Sequence, residues 1–189
     1  MTACTNAQHQ NVKTKIENKN ILIVYLSRTN NTKAVAEMIQ KKTGGDLAAV
    51  EPQTPYSKKY QKNVDEVQYQ NEHNILPPLK TKIDISKYDT IFVGFPTWGM
   101  QLPPPIKTFL NENNWKKKVV APFNTNAGYG LGKSKAQFEQ YCSKGKITEI
   151  FTVKGGQERE GIMYVMESKK AVEVNNLLDR WLKKIILKK

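Results

Sequence analysis

Two stretches of this sequence crowd chemistry-bearing side chains where a chain turns. Ser27-Arg28-Thr29-Asn30-Asn31-Thr32 follows an apolar run, Ile21 to Leu26, and precedes a pattern of helical period. Backbone N–H groups and the positive end of a helix dipole would face whatever lies there, and Ser27, Thr29, Asn31 and Thr32 can donate hydrogen bonds to phosphate oxygens. An N-cap requires only one such residue, so a cluster this dense reads as an anion site. The second stretch, Gly94 to Leu110, holds Trp98 in a Pro-Thr-Trp-Gly setting instead of a periodic apolar pattern. An indole there is suited to stacking on a flat ring, offering a large apolar face at little rotamer cost.

Other chemistries find less support. Cys4 and Cys142 form no C-x-x-C pair, and His9 and His73 sit in polar segments without a second His or Cys at ligand spacing, so neither thiol chemistry nor a metal site is expected. Ala127 to Ser134 satisfies a permissive phosphate-loop pattern, with Ala in place of the first Gly, and would suit a nucleotide hydrolase. Against it, no later apolar strand ends in an Asp that could hold magnesium.

The elements that must position these loops alternate. Residues 1–20 are polar and aperiodic and read as a disordered leader, with one domain over 21–189. Ile21 to Leu26 reads as a strand buried on both faces. A helix follows, with Ala34, Val35, Met38 and Ile39 on one side, stopped by Gly44-Gly45. Further strands are expected at Leu47 to Val50, Thr90 to Phe95, Val119 to Phe123 and Ile147 to Val153. Helices are expected after Pro105, over Lys133 to Tyr141 and at the carboxyl end. The stretch from Glu51 to Tyr88 is the hardest to read, though Tyr56, Tyr60, Val64 and Val67 could share a helical face. Alternation of this kind argues for an α/β parallel sheet covered on both sides, with ligands at the carboxyl ends of the strands. With 189 residues, 39% hydrophobic and 25% charged, the chain can bury one full core, and no apolar run reaches the ~18 residues of a membrane span.

Taken in order, the loops resemble those of the flavodoxins, small FMN-binding electron carriers. That family's phosphate loop, Ser/Thr-x-Thr-Gly-Asn-Thr, is matched by Ser27, Thr29, Asn31 and Thr32, with Asn30 in the Gly position. Asn tolerates left-handed angles, so the turn can still close. Trp98 stands where flavodoxin-like proteins place a ring against the isoalloxazine. In the third loop, Asn124-Thr-Asn-Ala-Gly-Tyr-Gly130, Asn126 and Tyr129 take the places of a polar residue and a second stacking ring. The resemblance implies a flavodoxin-like three-layer sandwich with a five-stranded parallel sheet of order 2-1-3-4-5. It further implies FMN held non-covalently by Ser27, Arg28, Thr29, Asn30, Asn31, Thr32, Pro96, Thr97, Trp98, Gly99, Thr125, Asn126, Gly128 and Tyr129, without catalytic acid, base or nucleophile. The implied role is electron transfer to a redox partner protein; the alternative is an NAD(P)H-dependent flavin or quinone oxidoreductase.

The net charge of +13 departs from that family, whose members are typically acidic. Between Lys107 and Lys146, the residues Lys107, Lys116, Lys117, Lys118, Lys133, Lys135, Lys144 and Lys146 face only Glu112 and Glu139, which implies a partner with an acidic docking face. No nucleic-acid reader motif accompanies the charge, so nucleic acid is not expected. A cytoplasmic location is the simplest expectation. Met-Thr-Ala-Cys4 is similar to the end of a lipoprotein signal, and the alternative is an exported lipoprotein, with membrane contact through Cys4.

Overall fold

The computed structural model describes residues 20–187. The expectations attached to the leader, to Cys4 as an anchor and to His9 lie outside the described residues. Five parallel positions make up the sheet, in the order β2-β1-β3-β4 and then a fifth strand in two pieces. β1 (Ile21–Tyr25) lies between β2 (Asp46–Ala49) and β3 (Thr90–Pro96), and β3 pairs with β4 (Val119–Asn126). The two pieces, β5 (Lys146–Ile147) and β6 (Phe151–Lys154), both pair with β4.

Alternation along the strands divides the core into two layers. Ile21, Ile23, Phe92, Ala121 and Phe123 pack against Val35 and Ile39 of α1 (Asn31–Thr43) and Val174, Leu178 and Trp181 of α5 (Ser168–Leu187). Leu22, Val24, Ile91, Val93, Phe95 and Val120 face the other way, onto Ile106, Phe109 and Leu110 of α3 (Pro104–Glu112) and Phe138 of α4 (Ser134–Tyr141). Fully burying each of the largest of these side chains stabilises the fold by ~1.5–3 kcal/mol before the entropy cost. α1 starts in the left-handed turn at Asn30 (φ 62°) and stops at Gly44 (φ 72°), whose N–H bonds back to Gln40.

Four expectations are corrected. The fifth strand is interrupted: Thr148 still donates to Val120, but at the gap the Glu149 carbonyl accepts from Trp181 Nε1 at 2.8 Å and its carboxylate pairs with Lys184 at 3.0 Å. β4 runs on to Asn126, so Asn124, Thr125 and Asn126 belong to the strand end and not to a loop. The stretch from Glu51 to Tyr88 contains α2 (Tyr60–Glu72), with Val67 inward but Tyr60 exposed and Tyr56 ahead of the helix. The lysine-rich face is less open than its composition suggests. Lys107 is buried and donates to Asn71 Oδ1 at 2.7 Å, Lys118 donates to the carbonyls of Ser86 and Tyr88, and Lys135 reaches Glu139 at 3.9 Å.

Candidate functional site

The first loop leaves the sheet at Leu26, whose N–H bonds to Gly94. With Asn30 turned left-handed, the first turn of α1 receives no side-chain cap and contains no acidic residue. Its N–H groups are therefore directed outward with the helix dipole behind them. Ser27 Oγ is buried and has no hydrogen-bond partner among the described residues. Thr32 Oγ1 shares a 2.8 Å hydrogen bond with Thr125 Oγ1 at the end of β4. Asn31 serves the architecture: its Nδ2 donates to Thr29 Oγ1 at 2.8 Å and to the Met163 carbonyl at 2.6 Å, while its Oδ1 accepts from Val165 N at 3.0 Å.

Arg28 is likewise committed to the protein. Its Nε meets both oxygens of Glu158, at 2.9 and 2.8 Å, and its two terminal nitrogens donate to the carbonyls of Ser57 and Lys58 at 2.8 and 2.9 Å. The side chain thereby latches the segment leading into α2 onto the loop.

Trp98 stands on a two-residue turn. Its backbone N–H and C=O exchange bonds with those of Gln101, and Gly99 (φ 55°) and Met100 (φ 58°) occupy the left-handed positions such a turn requires. The half-buried indole is held edge-on against Tyr56, centroids 5.6 Å apart at 88°. Burial pushes the Tyr56 phenol well above its ordinary pKa, so it stays a neutral donor, here to Gln70 Oε1 at 2.6 Å. The second and third loops are tied together. Thr97 N–H donates to the Thr125 carbonyl, Thr97 Oγ1 donates to the Gly130 carbonyl at 3.0 Å, and Asn124 Nδ2 reaches Phe95 O and Thr97 Oγ1. Asn126 Oδ1 accepts from the N–H groups of Gly128 and Gly130, fixing the curl of the third loop.

These loops open on one cleft of about 440 Å³. Arg28, Thr29, Asn31, Thr32, Pro96, Thr97, Trp98, Gly99, Thr125 and Asn126 line it, as their grouping in sequence suggested. Ser27 faces a smaller neighbouring cavity of about 250 Å³ that shares Arg28, Asn63 and Trp98 with the first. Asn30 is exposed at the turn, and Gly128 and Tyr129 stand outside the lining, Tyr129 being 72% exposed.

Two walls escaped the sequence reading. One is the inner face of α2, through Asn63, Val64, Val67 and Asn71. The other is Gly155-Gly156 with Glu158, immediately beyond β6. At Gly156 a Cβ would collide with the backbone carbonyls of Ile162 and Met163, so only glycine lets those strands of chain meet.

A family model for flavodoxin matches residues 20–168, and the chain belongs to the flavodoxin family, whose members generally pass electrons to partner proteins. Among solved structures, a Bacteroides eggerthii protein taken to be a flavoprotein is 26% identical with a TM-score of 0.71, the alignment covering 90% of this chain and 100% of that one. A Lactobacillus acidophilus flavoprotein in complex with FMN is 27% identical with a TM-score of 0.65 over 71% of this chain and 93% of its own. Oxidised flavodoxin 2 of Bacillus cereus shares the fold at 20% identity, with a TM-score of 0.52 over 87% and 99% of the two chains. No curated protein sequence matches. Membership replaces the phosphate-loop hydrolase reading of Ala127 to Ser134. In that segment, Gly132 packs on the Met100 carbonyl and Lys133 N–H donates to it, so the loop braces the Trp98 turn.

Proposed function

We propose that this protein binds FMN in the cleft and passes electrons to a partner protein. The observation that carries the reading is the α1 N-terminus: uncapped, free of carboxylates in its first turn, and opening on the cleft that also contains Trp98. A dianionic phosphate satisfies the exposed N–H groups there, and the unspent hydroxyl of Ser27 adds a donor beside them. Bound there, the flavin supplies reversible uptake of electrons. The residues of this chain hold and orient it: Thr32 and Thr125 border the phosphate, and Trp98, braced by Tyr56, offers the flat face for the ring. α2 lines the cleft from the other side. Of the three charged residues lining the cleft, Arg28 and Glu158 are spent on their own latch and Glu72 accepts from Gln68 Nε2 at 2.8 Å, so proton transfer is not among the tasks we assign these residues.

The partner we favour has an acidic face. Lys58, Lys59 and Lys62 are exposed around the start of α2, and Lys154 stands beside the third loop. Association should therefore weaken as salt rises.

Titration of the purified apoprotein with FMN, riboflavin and ATP–magnesium tests the reading. Quenching of flavin fluorescence, stronger for FMN than for riboflavin and without competition from ATP, is the expected result; the absence of any flavin binding at micromolar protein overturns it. A second reading, a nicotinamide-dependent flavin or quinone oxidoreductase, is favoured by the extension of the cleft along α2. Rapid NAD(P)H oxidation by the FMN-loaded protein would select it.

A further inference from the structure

At the end of α2 away from the first loop, the cleft is lined by three carboxamides, Gln68, Asn71 and Gln101, and by Glu72; the Gln68 Nε2 group is spent on Glu72 Oε1 at 2.8 Å, which leaves the amides of Asn71 and Gln101. Asn71 lies eight residues beyond Asn63 on the same helix, about 12 Å along the axis. The start of α2 is held at the first loop by Arg28, through Ser57 and Lys58. The orientation of each amide is fixed by a group that can only donate. Lys107 Nζ, buried beneath α2, lies 2.7 Å from Asn71, so the atom facing it is Oδ1 and the Nδ2 group is turned away. Leu102 N–H donates to Gln137 Oε1 at 3.0 Å; that sets Gln137 Nε2 to donate to Gln101 Oε1 at 2.9 Å, which leaves Gln101 Nε2 for the cleft. Among the described residues neither Asn71 Nδ2 nor Gln101 Nε2 meets an acceptor. Two independent relays thus end in the same way, with an NH₂ group on the cleft wall.

From this we infer that Asn71 and Gln101 form a donor subsite for the carbonyl oxygens of a flat ring bound against Trp98, with Lys107 and Gln137 as positioning residues. Gln101 is the residue that closes the Trp98 turn, so a ring lying on the indole brings its edge to that amide. The positive charge of Lys107 behind Asn71 strengthens the donor on the cleft side, favouring an oxygen that gains electron density. No carboxylate stands among the influences on Lys107, and burial alone pulls its pKa below the ordinary lysine range. Carbonyls of this kind belong either to the dione edge of the flavin or to a second, quinone-like acceptor. The inference rests on the flavin-binding reading, and the test separates the two.

Asn71→Asp and Gln101→Glu keep shape while replacing each donor with an acceptor. Lys107 gives the carboxylate introduced at position 71 a counter-ion, so the fold should survive; circular dichroism checks this. FMN and riboflavin dissociation constants are measured by fluorescence quenching, and the visible flavin absorption band is recorded. Binding of 1,4-benzoquinone to the FMN-loaded proteins is measured by its own titration. If the flavin edge occupies the subsite, both flavins weaken together, at least about tenfold, and the band shifts, because the phosphate end is untouched. If a second acceptor occupies it, flavin binding holds within about twofold while the quinone weakens at least about tenfold. Lys107→Gln, which can still donate to Asn71, should retain most of the binding that Lys107→Met loses. Wild-type protein that binds FMN, with variants equal to it for both flavins and the quinone, overturns the subsite alone. Wild-type protein that binds no flavin overturns the underlying reading instead.

Discussion

Replacing Arg28 with Met keeps most of the side-chain stem and removes only the guanidinium. The first consequence concerns stability. Arg28 and Glu158 have side chains only 16% and 15% exposed, so the variant leaves a mostly buried carboxylate without its partner and frees the Ser57 and Lys58 carbonyls. Breaking a fully buried pair costs ~3–5 kcal/mol; with water still reaching part of this one, the expected loss is about 2–3 kcal/mol. In a domain of this size that lowers Tm by roughly 4–12 °C. The double variant Arg28→Met/Glu158→Met should recover part of the loss, since it no longer buries an unpaired charge. The second consequence concerns binding. Because the guanidinium is spent on the latch, its removal should weaken FMN and riboflavin by the same factor, through looser seating of α2. Denaturant melts and paired flavin titrations measure both. A loss of FMN affinity more than about tenfold greater than that of riboflavin would show the guanidinium on the phosphate, and an unchanged Tm would show that the latch contributes nothing.

Ser27→Ala should leave the apoprotein as stable as wild type or slightly more so, by up to ~1 kcal/mol, because a buried hydroxyl without a partner is removed, and yet FMN should bind less tightly than before; melts and titrations read the two in opposite directions. Thr32→Ala should cost FMN more than riboflavin, since only FMN has the phosphate that borders this hydroxyl, and should also lose the bond to Thr125. Gly156→Ala drives a methyl group into two backbone carbonyls and should destabilise by about 3 kcal/mol, the upper part of the overpacking range, read by denaturant melts. Burial pushes the Cys142 thiol up to about 12 from 9.0, so the folded protein keeps a proton that the unfolded chain gives up. Stability is therefore unaffected by this group below pH 9, falls as pH rises from there to about 12, and thiol reagents should be inert toward the native protein at pH 8.

The first loop was legible because its chemistry is local: a strand, a turn and a helix start fix where Ser27 to Thr32 stand, whatever the rest of the chain does. The left-handed Asn30 was readable for the same reason. Trp98 was legible by contrast, as an aromatic outside any apolar period. What the sequence hid depends on contacts distant along the chain. Arg28 looks like a phosphate ligand until Glu158, 130 positions away, is found against it. Lys107 looks like surface charge in a lysine-rich segment, whereas α2 closes over it and supplies the Asn71 oxygen that makes burial tolerable. α2 itself has few apolar residues because its inner face meets a cleft and not the core. Gly155-Gly156 was within reach: it follows the fifth strand, and the rule that ligands sit beyond strand ends applies there as it does at the other three loops.

The break in the fifth strand bears on how the chain behaves toward copies of itself. An unbroken edge strand from 146 to 154 would present a ruler of unpaired amides to any other extended chain. Instead the edge offers two residues, a step, and four residues, and at the step the Glu149 carbonyl is occupied by Trp181 and its carboxylate by Lys184. At the opposite border β2 is only four residues long. Short, stepped borders of this kind disfavour strand addition, while the ends of the strands stay available for ligand and partner.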